Sequence, residues 1–449
     1  MSYRIYTSPD QFAEDNRVLD TRLPFSDSVS ALAAPLSVAG KTVPNRLACQ
    51  AMEGCDGTPD GYPSDLTVRR YMRLAQGGAG LIWFEATAVL PEGRANPHQL
   101  MISKKHTDAL LRLTDGIREA AMRSGHPAPL IIMQATHSGR YSKPEGIPAP
   151  LIACRNPYYE AAHPIPNERI VSDDYLRHTG EALANAAGLA ERAGFDGVDI
   201  KCCHRYLLSE LLSAHTRPGQ YGGSRENRTR LLRESILQAK QNCSSGFLVT
   251  TRLNIYDGLP YPYGFGVMAE PASGDDGNAP AFDPTEPAWL LDQLYRSGVR
   301  LVNLTMGNPY VNPHINRPYA KGSYPEPEHP LCGVARMLHG TAVLKHGLPQ
   351  DMKVLCSALS FLGAAAPQVA AGLIENGDCD LAGFGRTAFA YPDFADDILN
   401  FGCMKREKCC LACSACTEIM RAGGTTGCIV RDASVYAPIY LKLCRRKKQ

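Results

Sequence analysis

Three polar side chains crowd into six residues at Lys201, His204 and Tyr206, just after the short apolar run Gly197–Lys201. A lysine, a histidine and a tyrosine so spaced are suited to holding or protonating a small molecule at the end of a strand. A loop whose polar groups only face water is the plainer alternative, and for Lys201 so is a salt bridge to Asp199 or Glu210. A second constellation lies near the end of the chain, where Cys410, Cys413, Cys416 and Cys428 follow a C-x2-C-x2-C-x11-C spacing. Three thiolates from one loop and a fourth returning after a short helix can surround one metal centre. By spacing alone that centre is either an iron–sulfur cluster or tetrahedral zinc. Cys409, the immediate neighbour of Cys410, competes with it as a ligand, whereas Cys403 and Cys444 stand apart.

These residues need a scaffold, and 449 residues suffice for one barrel plus an appendage. The net charge of +2 gives no bulk electrostatic case for nucleic acid or a membrane surface, and no run approaches a membrane span. The basic end, Cys-Arg-Arg-Lys-Lys-Gln, is short and reads as a solvated tail. No secretory signal is evident in the opening Met-Ser-Tyr-Arg-Ile-Tyr. Sixteen cysteines in a chain of this size, five of them in one segment, suit a reducing, cytoplasmic compartment with a local thiolate site rather than a disulfide scaffold.

Residues 1–42 lack strong periodicity and are expected to wrap the surface. Eight strand-like runs follow, at 46–51, 80–85, 130–134, 197–201, 247–252, 299–304, 353–357 and 380–384. Helical patterns lie between them, over 65–76 with Ser64 as cap, 106–123, 172–193, 226–241, 287–296, 334–345, 367–375 and 393–400. Eight alternations predict an α/β protein of the (β/α)8 TIM-barrel class, residues 1–402, with a cysteine-rich segment at 403–449. A doubly wound sheet is the rival, but no Gly-x-Gly-x-x-Gly follows the first strand. Long Pro/Gly-rich loops at 143–171, 257–286 and 306–330 follow strands three, five and six and would roof one barrel face.

From Ala34 to Asp432 the chain resembles the Old Yellow Enzyme family of NADH:flavin oxidoreductases. The matching stretches are Pro44-Asn45-Arg46, Glu85-Ala86-Thr87-Ala88-Val89, Gln134 with His137-Ser138-Gly139-Arg140-Tyr141, and Tyr221-Gly222-Gly223-Ser224-Arg225-Glu226-Asn227-Arg228. The resemblance implies FMN at the top of the barrel. The backbone of Gln50, Ala51 and Met52 and Ala86 would line the isoalloxazine edge. Gln134 would meet the pyrimidine ring, and Arg252 would stand near N1, its structural alternative being a buried ion pair. The phosphate would sit against Ser357, Ala358, Gly385 and Arg386, in the usual phosphate corner of such barrels. Where relatives carry His-x-x-His/Asn-Gly-Tyr, this chain has Lys201-x-x-His204-Arg205-Tyr206, so Lys201 and His204 would hold a carbonyl oxygen and Tyr206 would donate a proton. Glu53 occupies a position where relatives place Thr or Cys, and is either a redox-tuning group near the flavin or an outward-facing side chain. Tyr310 and His314, in the loop after strand six, would either contact substrate or pack within the loop.

Members of the dienoyl-CoA reductase and trimethylamine dehydrogenase branches carry a similar cysteine run and bind a four-iron four-sulfur cluster, which resolves the choice against zinc. Those relatives continue into nucleotide-binding domains, and this chain ends at Gln449. Electrons are therefore expected directly from NADH or NADPH, or through the cluster from a donor protein. The implied activity is reduction of a C=C conjugated to a carbonyl in a cyclic or steroid-like enone. An amine dehydrogenase or demethylase passing electrons outward, and an electron-transfer subunit, are the rivals. A homo-oligomer is compatible with all three.

Overall fold

The structure, a computed structural model, describes residues 3–161, 163–269 and 280–446. The last three residues of the basic tail and the middle of the 257–286 loop lie outside the described residues. Ten strands are present among the described residues: β1 Leu36–Val38, β2 Lys41–Val43, β3 Leu47–Cys49, β4 Leu81–Ala88, β5 Leu130–Thr136, β6 Gly197–Ile200, β7 Leu248–Asn254, β8 Leu301–Thr305, β9 Lys353–Cys356 and β10 Leu381–Phe384. Strands β3 to β10 pair in parallel, each with the next, and β10 closes on β3 through Ala382–Leu47 and Phe384–Cys49. Nearly every residue of these strands is buried, which is why they read as unbroken apolar runs rather than alternating ones.

Between the strands run helices including Asp65–Gln76, Thr107–Arg123, Asp173–Arg192, Thr285–Arg296 and Pro330–His346. Ser64 caps the first through a reciprocal box with Thr67, and Ser172 caps the third, as expected of a hydroxyl before an acidic first turn. The expected helix 226–241 is broken at Thr229 into Arg225–Arg228 and Arg230–Gln241. Arg228 is drawn inward there, to the Leu212 carbonyl and the Glu286 carboxylate.

The expectation for residues 1–42 needs correction. Pro9–Val18 is a helix, and β1 and β2 form a hairpin turning at Ala39 and Gly40, both at positive φ (+47° and +83°). Leu36, Val38 and Val43 of this hairpin pack with Ala48, Leu81, Leu130, Leu248, Leu301 and Leu381, residues at the N-terminal ends of the barrel strands. The hairpin therefore plugs the floor of the barrel, leaving the opposite mouth as the accessible end. No helix among the described residues is long and apolar enough to cross a membrane.

Just past β5, His137 is buried with its Nδ1 accepting from the Gly139 amide and its Nε2 facing the Tyr175 hydroxyl, itself bonded to Glu92. Only a neutral ring satisfies both contacts, and burial pushes its pKa from 6.5 down to about 4. The unfolded chain thus binds a proton that the folded one refuses, so stability falls as pH drops through this window. Urea-unfolding midpoints should decline between pH 6.5 and about 4, and His137→Gln should make that decline shallower. An unchanged slope would show that His137 is not a source of it.

The C-terminal segment packs against the barrel. Its helices are Ala415–Arg421 and Ala433–Arg446. Thr426 Oγ1 accepts from the Cys55 amide (2.8 Å) and donates to the Glu53 carbonyl (3.1 Å). Asp432 receives Arg69 at 2.7 Å and Arg73 at 2.5 Å from the helix Asp65–Gln76.

Candidate active site at the barrel mouth

Immediately after β6 the chain reverses through His204 and Arg205, both left-handed at φ +64° and +59°. Neither is glycine, so the turn carries conformational strain. Arg205 is fully buried and donates to Asp257 at 2.7 Å and to Ser213, contacts that hold the turn in place. The reversal delivers Tyr206 to the N-cap of the helix Leu207–Leu211.

Lys201 makes neither of the expected salt bridges. Asp199 is engaged by Trp83 Nε1 (2.7 Å), Gln134 Nε2 (2.6 Å) and the Arg252 amide (2.6 Å). Glu210 takes Arg140 and the Ala153 amide. The Lys201 ammonium instead lies 3.8 Å from the centre of the Tyr206 ring. Burial lowers its pKa from the usual lysine value. His204 Nε2 is buried without a partner, and burial together with the nearby Arg252 and Lys201 holds that ring well below its ordinary pKa. A neutral imidazole and a desolvated ammonium thus stand beside one phenol.

Glu53 turns inward. Its Oε2 accepts from the Tyr206 hydroxyl (3.2 Å) and from the Tyr310 hydroxyl (2.9 Å), and the two hydroxyls are 3.0 Å apart. Tyr141 stacks on Tyr310 with ring centres 3.9 Å apart, and Asn308 Nδ2 donates to the Tyr141 hydroxyl. Glu53, Tyr141 and Tyr310 are only partly covered, whereas Tyr206 is buried beneath them. Tyr310 thus joins the site, but His314 turns away to the Tyr324 hydroxyl at 2.6 Å.

The residues expected around a flavin also gather at this mouth. Gln50 Nε2 bonds Asn303, the Cys356 carbonyl and Ser357 Oγ, tying β3 across the barrel to β8 and β9. Ala86 pairs with Gln134 in the β4–β5 register, and Gln134 spends its amide nitrogen on Asp199, leaving the amide oxygen for a ligand. Arg252 has no carboxylate. Its Nη1 donates to the Ala51 carbonyl at 3.0 Å, its Nε is buried without a partner, and burial lowers its pKa. Ala358 is left-handed at φ +78°, and Met52 Sδ lies close enough to Gly385 to touch a Cβ placed there. Arg386 donates to the Pro318 carbonyl at 2.6 Å and keeps Nη1 buried and unpaired. Two buried guanidinium groups with orphaned N–H donors suit an electron-rich, anionic guest such as a flavin nucleotide.

Behind these residues, Cys410, Cys413, Cys416 and Cys428 line a single concavity with Arg386, Ser414 and Val430. Cys409 does not join them, since its thiol points to the Lys405 carbonyl. Among the described residues no group of three or more His, Cys, Asp or Glu side chains is placed to hold a metal ion. The donor set itself, four thiols and no carboxylate around one hollow, suits a thiophilic centre.

Several participants escaped sequence reasoning. Tyr141 and Asn308 build the tyrosine stack, Thr426 fixes the Glu53 loop, and Asp257 secures the strained turn. Only Tyr141 had a signal, its place in the His137–Tyr141 stretch.

Comparison with known proteins follows the same lines. A family model described as NADH:flavin oxidoreductase / NADH oxidase matches residues 31–263. The chain is 33% identical over 217 residues to an NADPH dehydrogenase of Bacillus subtilis (strain 168), covering 47% of this chain and 60% of that protein. It is 36% identical over 211 residues to an NADPH dehydrogenase of Geobacillus sp. (strain WCH70), covering 46% and 58%. The match thus spans rather less than two thirds of these relatives. Among solved structures, a 2-naphthoyl-CoA reductase complexed with 2-naphthoyl-CoA has a TM-score of 0.69 at 19% identity, over 90% of this chain and 57% of that one. An old yellow enzyme homologue from Zymomonas mobilis gives 0.61 at 19% identity, over 84% and 94%. Histamine dehydrogenase from Rhizobium sp. 4-9 gives 0.62 at 18% identity, over 89% and 52%. These three share the fold.

Proposed function

The chain belongs to the NADH:flavin oxidoreductase / NADH oxidase family, and from that premise we propose that it is an FMN-dependent ene-reductase acting on a C=C conjugated to a carbonyl. FMN would be held by Gln50, Ala51, Met52, Ala86, Gln134 and Arg252 at its ring and by Ser357, Ala358, Gly385 and Arg386 at its phosphate. When bound and reduced by NADH or NADPH, the flavin supplies a hydride to the carbon β to the carbonyl. The chain's own groups then handle the rest. Lys201 and His204 hold the carbonyl oxygen as it gains negative charge, the first by its ammonium and the second through its Nε2 side. Tyr206 gives its hydroxyl proton to the α-carbon.

The observation that carries this reading is the convergence of an imidazole nitrogen and a lysine ammonium, neither hydrogen-bonded nor ion-paired among the described residues, with a phenol in one six-residue turn. Cys410, Cys413, Cys416 and Cys428 would hold a four-iron four-sulfur cluster in the segment 403–449, outside a barrel of residues 1–402. Such a cluster would supply one-electron transfer to or from a donor protein.

A second reading, oxidation of an amine, draws on the same tyrosine stack, because stacked phenols and a carboxylate suit an ammonium guest. Against it, the Tyr206 ring face already carries the Lys201 ammonium, which would repel a cationic substrate.

Anaerobic absorbance spectra decide between them. The expected result is that flavin bands, superimposed on a broad iron–sulfur slope, bleach with NADPH and return on adding 2-cyclohexenone or a fused-ring enone. Bleaching by methylated amines with no response to enones would establish the second reading. Protein without flavin bands would overturn both.

A further inference from the structure

The proposed reaction leaves one demand unmet. Tyr206 is buried, so once it has given up its proton it has no direct supply from water. We infer that Glu53, with Tyr310, is the route by which solvent returns that proton, an assignment that rests on the ene-reductase reading. The geometry is continuous: the Tyr206 hydroxyl touches both the Tyr310 hydroxyl (3.0 Å) and Glu53 Oε2 (3.2 Å), and Tyr310 closes the triangle at 2.9 Å. Glu53 and Tyr310 are partly exposed as residues whereas Tyr206 is buried, so the two outer members of the triangle lie on its solvent side.

The proton accounting balances without a further reactant. The Tyr206 O–H bond breaks as the C–H bond at the α-carbon forms, leaving a phenolate. The Tyr310 or protonated Glu53 hydroxyl then transfers its proton to that phenolate, and water restores the donor. Two negative oxygens 3.2 Å apart repel strongly in a partly dry site, so a proton arriving on Glu53 is drawn onward to Tyr206. Burial, with the nearby Glu53 carboxylate adding to it, raises the pKa of both phenols, which keeps Tyr206 protonated between turnovers.

The groups facing Glu53 come from every neighbouring element. They are Lys201 and Tyr206 after β6, Tyr310 after β8 and Cys55 on its own loop, while Arg421 of the C-terminal segment lies 5.8 Å from the Tyr310 ring centre. The loop is held from below by Thr426, so the carboxylate is positioned independently of any bound substrate. Glu53 acts through Tyr206 and is in that sense a positioning residue.

The test uses the holoenzyme with Glu53→Gln, which keeps size and hydrogen bonding but cannot carry the proton. Reduction of the flavin by NADPH is followed alongside as the reference half-reaction. Multiple-turnover reduction of 2-cyclohexenone should slow by roughly tenfold or more, because each cycle after the first needs Tyr206 reprotonated. In the parent, turnover should also show a solvent deuterium isotope effect. A separate measurement needs no turnover. With tyrosine labelled with carbon-13 at Cζ, the Tyr206 and Tyr310 resonances, assigned by Tyr→Phe deletion, should both move in Glu53→Gln.

Multiple-turnover reduction of the enone that keeps the parent's rate while both resonances move would overturn the relay but leave the ene-reductase reading standing. Unmoved resonances would overturn the contact itself. If no enone reoxidises the parent enzyme, the reading falls and the relay with it, and this outcome is recognised before any variant is made.

Discussion

Tyr206→Phe is expected to slow flavin reoxidation by an enone by about 10³-fold while leaving reduction by NADPH nearly unchanged. General acid catalysis typically contributes two to four orders of magnitude, and Tyr206 is the phenol at the turn where carbonyl-binding groups converge. The substitution is structurally mild. Phenylalanine keeps the buried ring and its face for the Lys201 ammonium, and Glu53 keeps its bond to Tyr310. Stopped-flow measurement of each half-reaction under anaerobic conditions separates the two effects. A reoxidation rate within threefold of the parent would remove Tyr206 from the proposed chemistry.

Arg70→Leu should produce the largest loss of stability, about 3–5 kcal/mol. Arg70 is buried between Asp56, 2.5 Å away, and Glu85, and also reaches the Thr426 carbonyl. One oxygen of Glu85 has no hydrogen-bond partner among the described residues, and a Cβ at Gly54 would collide with that carboxylate. Burial pushes the Glu85 pKa up to about 7 even with Arg70 opposing it. Removing the arginine leaves two buried carboxylates facing each other. The folded variant should then bind protons that the unfolded chain, with Glu85 near 4.5, does not. Its stability therefore falls as pH rises, and urea midpoints should recover partly on acidification. Adding Glu85→Gln should restore part of the loss, because it removes one of the stranded charges. A variant as stable as the parent at neutral pH would contradict this account.

The barrel was legible because parallel strands covered on both faces leave unbroken apolar runs, and all eight appear within a few residues of their expected bounds. The floor hairpin was not, since strands of three residues give too short an alternation to register. At the mouth, legibility followed distance along the chain. Lys201, His204 and Tyr206 share one turn and could be read together. The direction of Glu53 depends on Tyr310, 257 positions away, and on Thr426, 373 positions away, so its own sequence context left both orientations open. His314 shows the converse, a local pattern redirected by the Tyr324 hydroxyl ten residues later.

The stitching of Thr426 and Asp432 to residues 53–73 has a consequence for the chain's birth on the ribosome. Asp432 follows Arg69 by 363 positions. At bacterial and eukaryotic elongation speeds of about 5–20 residues per second, roughly 20 to 70 s pass between synthesis of the two. During that interval the loop bearing Glu53 lacks its two bonds to Thr426, and Arg69 and Arg73 lack the Asp432 carboxylate. The wall of the mouth opposite Tyr206 therefore sets only when the last few dozen residues dock, so a nascent barrel that already holds all its strands is not yet a finished binding site.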